Sequence, residues 1–163
     1  MPKAMHPTKA ALIDCAADLL DKYRFDEITV EMVLDRSSIS KGSLYHHFED
    51  IYHLLEAAMI SRFARYVDTN IASLRSLLES ATTAEGFYLG LVKISAVTQG
   101  EGMQRARQER ALTIGRAITS PRMSDLLRHE QQRLTDVLAE FISGAQARGL
   151  CSPEVEPHAL AVL

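Results

Sequence analysis

Within the eight residues Ser40-Lys41-Gly42-Ser43-Leu44-Tyr45-His46-His47 the sequence gathers two hydroxyls, an ammonium, a phenol, two imidazoles and a glycine. None of these pairs as nucleophile and base. No Ser, Cys or Asp stands with a His at an elbow-like turn, no glycine-rich phosphate loop occurs, and no pair of carboxylates stands out from an acidic background. What the run offers is hydrogen-bond donation to phosphate oxygens and to base edges, with a glycine that allows close backbone approach to another surface. The chain is therefore expected not to be an enzyme and to carry no cofactor. His46 and Asp50 lie four apart and could hold a metal. A helix junction falls between them, however, and anchoring by Phe48 accounts for the local sequence, so no metal site is expected.

Positioning such a run needs short helices with one buried face each. Apolar residues at Leu12, Ala16, Leu19, Leu20 and Tyr23 follow the helical spacing and predict a first helix over 8–23. Thr29 can cap a second over 30–36, and Ser37-Ser38 interrupts it. Ser40 can cap a third over 41–47, with Leu44 and Phe48 facing inward and Lys41, Gly42, Ser43, Tyr45 and His46 facing outward. This is the pattern of a helix-turn-helix. A long fourth helix follows, opened by Glu49-Asp50 and periodic from Leu54 to about Glu79. Further helices are expected from Phe87 to about Gly100, over 103–118 and over 124–148, and a last one begins near Pro157. No alternating apolar run predicts a strand. The fold class is all-α: an N-terminal three-helix helix-turn-helix domain, 1–50, joined by a long helix to a C-terminal helical bundle, 51–163.

Thr29-Val30, Val33, Ile39 through Phe48 and then Leu54-Leu55 together resemble the N-terminal domain of TetR-family transcriptional regulators. The resemblance implies a ligand-responsive DNA-binding regulator, a repressor released from its operator by a small molecule. It implies a palindromic double-stranded DNA operator, a small-molecule effector and a homodimer as partners. By the same resemblance Thr29, Lys41, Tyr45 and His47 would meet phosphates, while Ser40, Gly42, Ser43 and His46 would lie at base edges. The family commonly has small residues, including a glycine, where this chain has Leu34 and Ser37-Ser38. Ser38 is thus expected in a left-handed conformation that glycine adopts more cheaply. Ile51 stands where family members often have a lysine, which removes one phosphate contact. Beyond Ile60 only the architecture matches. The 51–163 region would be the ligand-binding and dimerisation domain, shortened at its C-terminus.

Effector contacts are expected among Phe63, Tyr88, Leu91, Met103, Arg107, Met123 and Leu127, which mix adaptable apolar groups with one cation and suit an apolar ligand with a polar or anionic end. The competing reading is an all-helical ligand-sensing or protein-interaction module without sequence-specific DNA binding. Two distant cysteines, Cys15 and Cys151, predict free thiols. No apolar run is long enough for a membrane span or signal peptide, so the expected location is cytoplasmic. The formal net charge is −3, and residues 1–60 hold six Lys and Arg against ten Asp and Glu. Few neutralised phosphates should give DNA binding a shallow dependence on salt. A steep fall in affinity between low and moderate salt, with many ions released per protein, would contradict this expectation.

Overall fold

Leu44, one helical turn before Phe48, is fully buried, and Phe48 is buried to within 1%. The two close a core with Leu12, Ala16 and Leu19 of the first helix, Val33 of the second, and Leu54, Leu55 and Ala58 of the fourth. Each such side chain removed from water contributes roughly 1.5–3 kcal/mol. In this computed structural model, which describes residues 5–162, the helices are α1 (Pro7–Leu20), α2 (Val30–Ser37), α3 (Lys41–His47), α4 (Ile51–Ser80), α5 (Ala84–Gln99), α6 (Gln104–Ala117), α7 (Pro121–Ala147) and α8 (Pro157–Ala161). A 3-10 turn, Glu101–Met103, separates α5 from α6, and no strand occurs among the described residues. No helix among the described residues is long and apolar enough to cross a membrane.

The chain divides into two compact units, residues 1–62 and 63–163. The division falls inside α4, whereas the sequence placed a boundary at the start of that helix. Leu54, Leu55 and Ala58 belong to the core of unit one, which carries the first turns of α4 into that unit.

In unit one, Arg36 of α2 pairs with Asp18 at 2.8 Å and Arg62 of α4 pairs with Asp21 at 2.8 Å, so both neighbours are clamped to α1. α1 stops at Leu20, three residues short of the expected Tyr23. The N–H groups of Lys22 and Tyr23 both return to the Leu19 carbonyl at 2.9 Å, and Arg24 donates its N–H to the Glu27 carboxylate at 2.8 Å, which turns the chain. Tyr23 is accordingly 45% exposed. Between α2 and α3, Ser38 has φ 55°, the only positive-φ residue other than glycine among those described. Its N–H bonds to the Leu34 carbonyl at 3.0 Å, and the Ser37 hydroxyl accepts the next N–H, from Ile39, at 3.2 Å.

In unit two, Phe87 of α5 stacks on Phe141 of α7 at 5.4 Å in a core with Leu74, Ala81, Ala145 and Leu150. Arg133 of α7 reaches Asp68 of α4 at 2.6 Å and Glu130 on its own helix at 2.6 Å. The expected start of α7 at Ser124 moves to Pro121, because Ser120 accepts the Met123 N–H at 3.3 Å and proline suits a first helical position. α7 ends in a Schellman motif: Leu150 N–H meets the Ala145 carbonyl and Gly149 N–H the Gln146 carbonyl, each at 2.9 Å, with Gly149 at φ 67°. Arg148 then places its guanidinium on the Leu78 and Ala81 carbonyls, satisfying the C-terminal end of α4.

Replacing Ser38 with glycine removes the left-handed cost without touching the core, and should stabilise unit one by about 0.5–1 kcal/mol. The thermal midpoint should rise by a few degrees, whereas Ser38→Val should lower it. An unchanged or lower midpoint for Ser38→Gly would show that the turn carries no strain.

Candidate nucleic-acid interface

Ser40 builds the start of α3. Its hydroxyl oxygen accepts the Ser43 N–H at 3.2 Å, and the same hydroxyl donates to Ser43 Oγ at 3.0 Å. Ser40 is thus engaged in holding the helix. Lys41, Gly42, Tyr45 and His46 are exposed on the side opposite Leu44, and Ser43 is half-buried. A Cβ placed on Gly42 would meet no atom within 4 Å. Glycine inside a helix costs about 0.5–1 kcal/mol relative to alanine, and here no internal contact requires it.

Thr29 caps α2, its Oγ1 accepting the Met32 N–H at 3.4 Å. Its hydroxyl also supports Glu31, a residue not singled out in the sequence. Glu31 gains a hydrogen bond from its own N–H, another from Thr29 and the field of the Lys41 ammonium, which together hold its carboxyl below the usual range. An acid therefore stands beside Thr29 and Lys41, two of the groups expected to meet phosphate.

The far end of α3 is more basic than the sequence suggested. The His47 ring lies 5.0 Å from that of His6, the N-cap of α1, and 4.9 Å from that of His46. Lys9 of α1 projects its ammonium over the Phe48 ring at 5.5 Å. Partial desolvation, and then the His46, His6 and Lys9 charges, push the His47 imidazole below its ordinary value. The fold thus brings His6 and Lys9 to the predicted run, and their separation of more than thirty residues in sequence concealed it. Asp50 and His53 instead serve the start of α4: Asp50 accepts the His53 N–H at 2.7 Å, and His53 Nδ1 accepts the Glu49 N–H at 3.3 Å.

Unit two contains a cavity of about 490 Å³ lined by Arg65, Tyr66, Thr69, Asn70 and Ser73 of α4, Lys93, Ile94, Val97 and Thr98 of α5, and Met103. Of the residues expected to meet an effector, Met103 lines it. Arg107 donates to the Thr98 and Gly100 carbonyls at 3.0 and 2.9 Å, closing the end of α5. Phe63, Met123 and Leu127 are buried in packing, Leu91 packs against the Phe87–Phe141 core, and Tyr88 is 64% exposed. The missed residues had a signal. Residues 65, 66, 69, 70 and 73 repeat at helical spacing, as do 93, 94, 97 and 98, but as a mainly polar stripe rather than an apolar one.

Residues 12–58 match the family described as bacterial regulatory proteins, tetR family. Over 155 residues the chain is 22% identical to the HTH-type transcriptional regulator UidR of Escherichia coli strain K12, covering 95% of this chain and 74% of that protein. Among solved structures, a TetR-family transcriptional regulator described as putative from Mesorhizobium loti superimposes with a TM-score of 0.73 at 21% identity, over 95% of this chain and 75% of that one. GusR of Salmonella enterica does so with a TM-score of 0.62 at 21% identity, over 99% and 79%. At these identities the structures establish the fold, a helix-turn-helix unit followed by a helical domain.

The His47 environment sets two opposite pH trends. An unfolded chain binds the proton up to about pH 6.5, the folded one only at lower pH. Between those values the unfolded state holds more protons, so stability rises with pH through the window and falls on acidification. A phosphate beside the imidazoles favours the charged form, so DNA affinity should rise as stability falls. Titrating both between about pH 8 and about pH 6, with His47→Gln as control, should show the two trends diverge and the control flatten each. Affinity that falls on acidification would refute this account.

Proposed function

We propose that the chain, whose residues 12–58 match the tetR family of bacterial regulatory proteins, is a DNA-binding transcriptional repressor released from a palindromic operator by a small molecule. The observation that carries the DNA-binding part is the outer face of α3. Gly42 lies open there between Lys41 and Tyr45, on a helix whose opposite face is locked by Leu44 and Phe48. A glycine that satisfies no internal contact on an exposed face of polar donors fits close approach to an external surface. Lys41, Tyr45 and His47 with Thr29 then take phosphates, and Ser43 and His46 reach base edges from the major-groove side. Ser40 acts by fixing the helix start.

A palindromic site calls for two copies of α3, hence a homodimer. The effector enters the cavity of unit two, five of whose lining residues lie on α4, a helix that also contributes Leu54, Leu55 and Ala58 to unit one. Release then follows by population shift, the effector preferring the arrangement that does not fit DNA.

Selection of bound sequences from random DNA tests the reading, and enrichment of a palindrome is expected. Gly42→Leu should abolish binding to the selected site while folding at least as stably, because it removes a helix glycine at an open position. Failure to enrich any site, or undiminished binding by Gly42→Leu, would favour an all-helical sensing or interaction module instead.

A further inference from the structure

The walls of the unit-two cavity depart in charge from the chain that builds them. The protein has 21 acidic and 18 basic residues, yet the cavity is lined by two bases, Arg65 and Lys93, and by no acid. Two neighbouring carboxylates have cationic partners outside the lining. Asp68, three residues beyond Arg65, binds Arg133 at 2.6 Å, and Glu109 of α6 binds Arg105 at 3.1 Å. A third cation lies against the lining itself: Arg110 of α6 stacks its guanidinium 3.6 Å from the centroid of the Tyr66 ring. Its Nη1 is buried and has no hydrogen-bond partner among the described residues. Buried donors usually find acceptors, so this one leaves a donor open next to the cavity. The rest of the lining is of two kinds: Ile94, Val97 and Met103 offer apolar surface, while Thr69, Asn70, Ser73 and Thr98 offer small hydrogen-bonding groups. A volume of about 490 Å³ falls within the usual range of small-molecule sites.

We propose that this cavity binds an amphipathic anion, its acidic head held by Arg65 and Lys93 and its apolar body lying on Ile94, Val97 and Met103. The inference rests on the regulator reading only in calling that anion the effector. Arg110 supports the Tyr66 ring and is a positioning residue.

Calorimetric titration of the full chain with decanoate, decanol and decyltrimethylammonium tests the proposal, because the three share an apolar chain and differ in head charge. Decanoate should bind most tightly and the quaternary ammonium least. Lys93 is exposed, so Lys93→Gln should fold normally, and it should weaken decanoate about fivefold while leaving decanol unchanged. Val97→Asp should abolish decanoate binding. The proposal is overturned if decyltrimethylammonium binds as tightly as decanoate, if decanoate shows no saturable binding, or if Lys93→Gln affects decanoate and decanol alike. None of these titrations involves DNA. A chain that binds decanoate in this pattern but enriches no DNA site therefore upholds the anion site and refutes the regulator reading.

Discussion

The packing of Leu44 and Phe48 into unit one is the constraint on which the nucleic-acid face depends. α3 has only seven residues, too few to be stable alone, since isolated helices shorter than about a dozen residues are marginal in water. Its existence and its rotation about its own axis both come from burying those two side chains against Leu12, Ala16 and Leu54. Once Leu44 points inward, helical geometry alone turns Lys41, Gly42 and Tyr45 toward solvent. Phe48 adds a stop: its extended backbone, φ −135° and ψ 135°, ends the helix and returns its N–H to Leu44. Ser38 works from the other side, reversing the chain so that α3 meets the core at all, and it does so in a conformation that serine adopts at some cost.

An acidic unit proposed to bind a polyanion looks contradictory until its charges are assigned. Asp18 and Asp21 lie on and just past α1 and are held by Arg36 and Arg62. In those bridges Asp18, Asp21 and Arg36 stay exposed while Arg62 is 19% exposed, and such surface pairs contribute little stability. Their larger effect is on distribution, because they keep two acids and two bases in neutral pairs. The groups left at the predicted contact face are Lys41, Lys9 and three histidines, offset by Glu31. Affinity then rests on geometry and on a small number of charge-assisted hydrogen bonds, and the protonation of His47 becomes a sizeable fraction of the available positive charge.

Most of the helical architecture was legible because it depends on local signals: apolar period, and Thr29 and Ser40 as caps. The left-handed Ser38 was legible only through the family resemblance, in which a glycine commonly occupies that turn. The end of α1 was not, because it is decided by contacts of Asp21 and Glu27 that override a continuing apolar period. The polar run on α3 could be read as one exposed face since it is contiguous. His6, Lys9 and Glu31 could not, as they reach that run only through the packing of α1 and α2. In unit two the sequence directed attention to large apolar side chains, and these became core. The cavity belongs to smaller and polar residues on the remaining face of α4, where a helical period existed but carried no hydrophobic contrast.

Magnitudes limit how such a cavity could govern DNA binding. Shifting a two-state protein from almost entirely one form to almost entirely the other requires a preference of about 5.5 kcal/mol. A head-group contact with exposed Lys93 discriminates by roughly 1 kcal/mol, far less. The remainder must come from groups whose burial differs between the two arrangements, and burial of an aliphatic side chain is worth roughly 1.5–3 kcal/mol. Ile94, Val97 and Met103 are the lining residues with that capacity, and Val97 is 62% exposed. The charge of the effector would therefore select which molecules enter. Its apolar body, by covering surface that only one arrangement presents, would supply the free energy that moves α4.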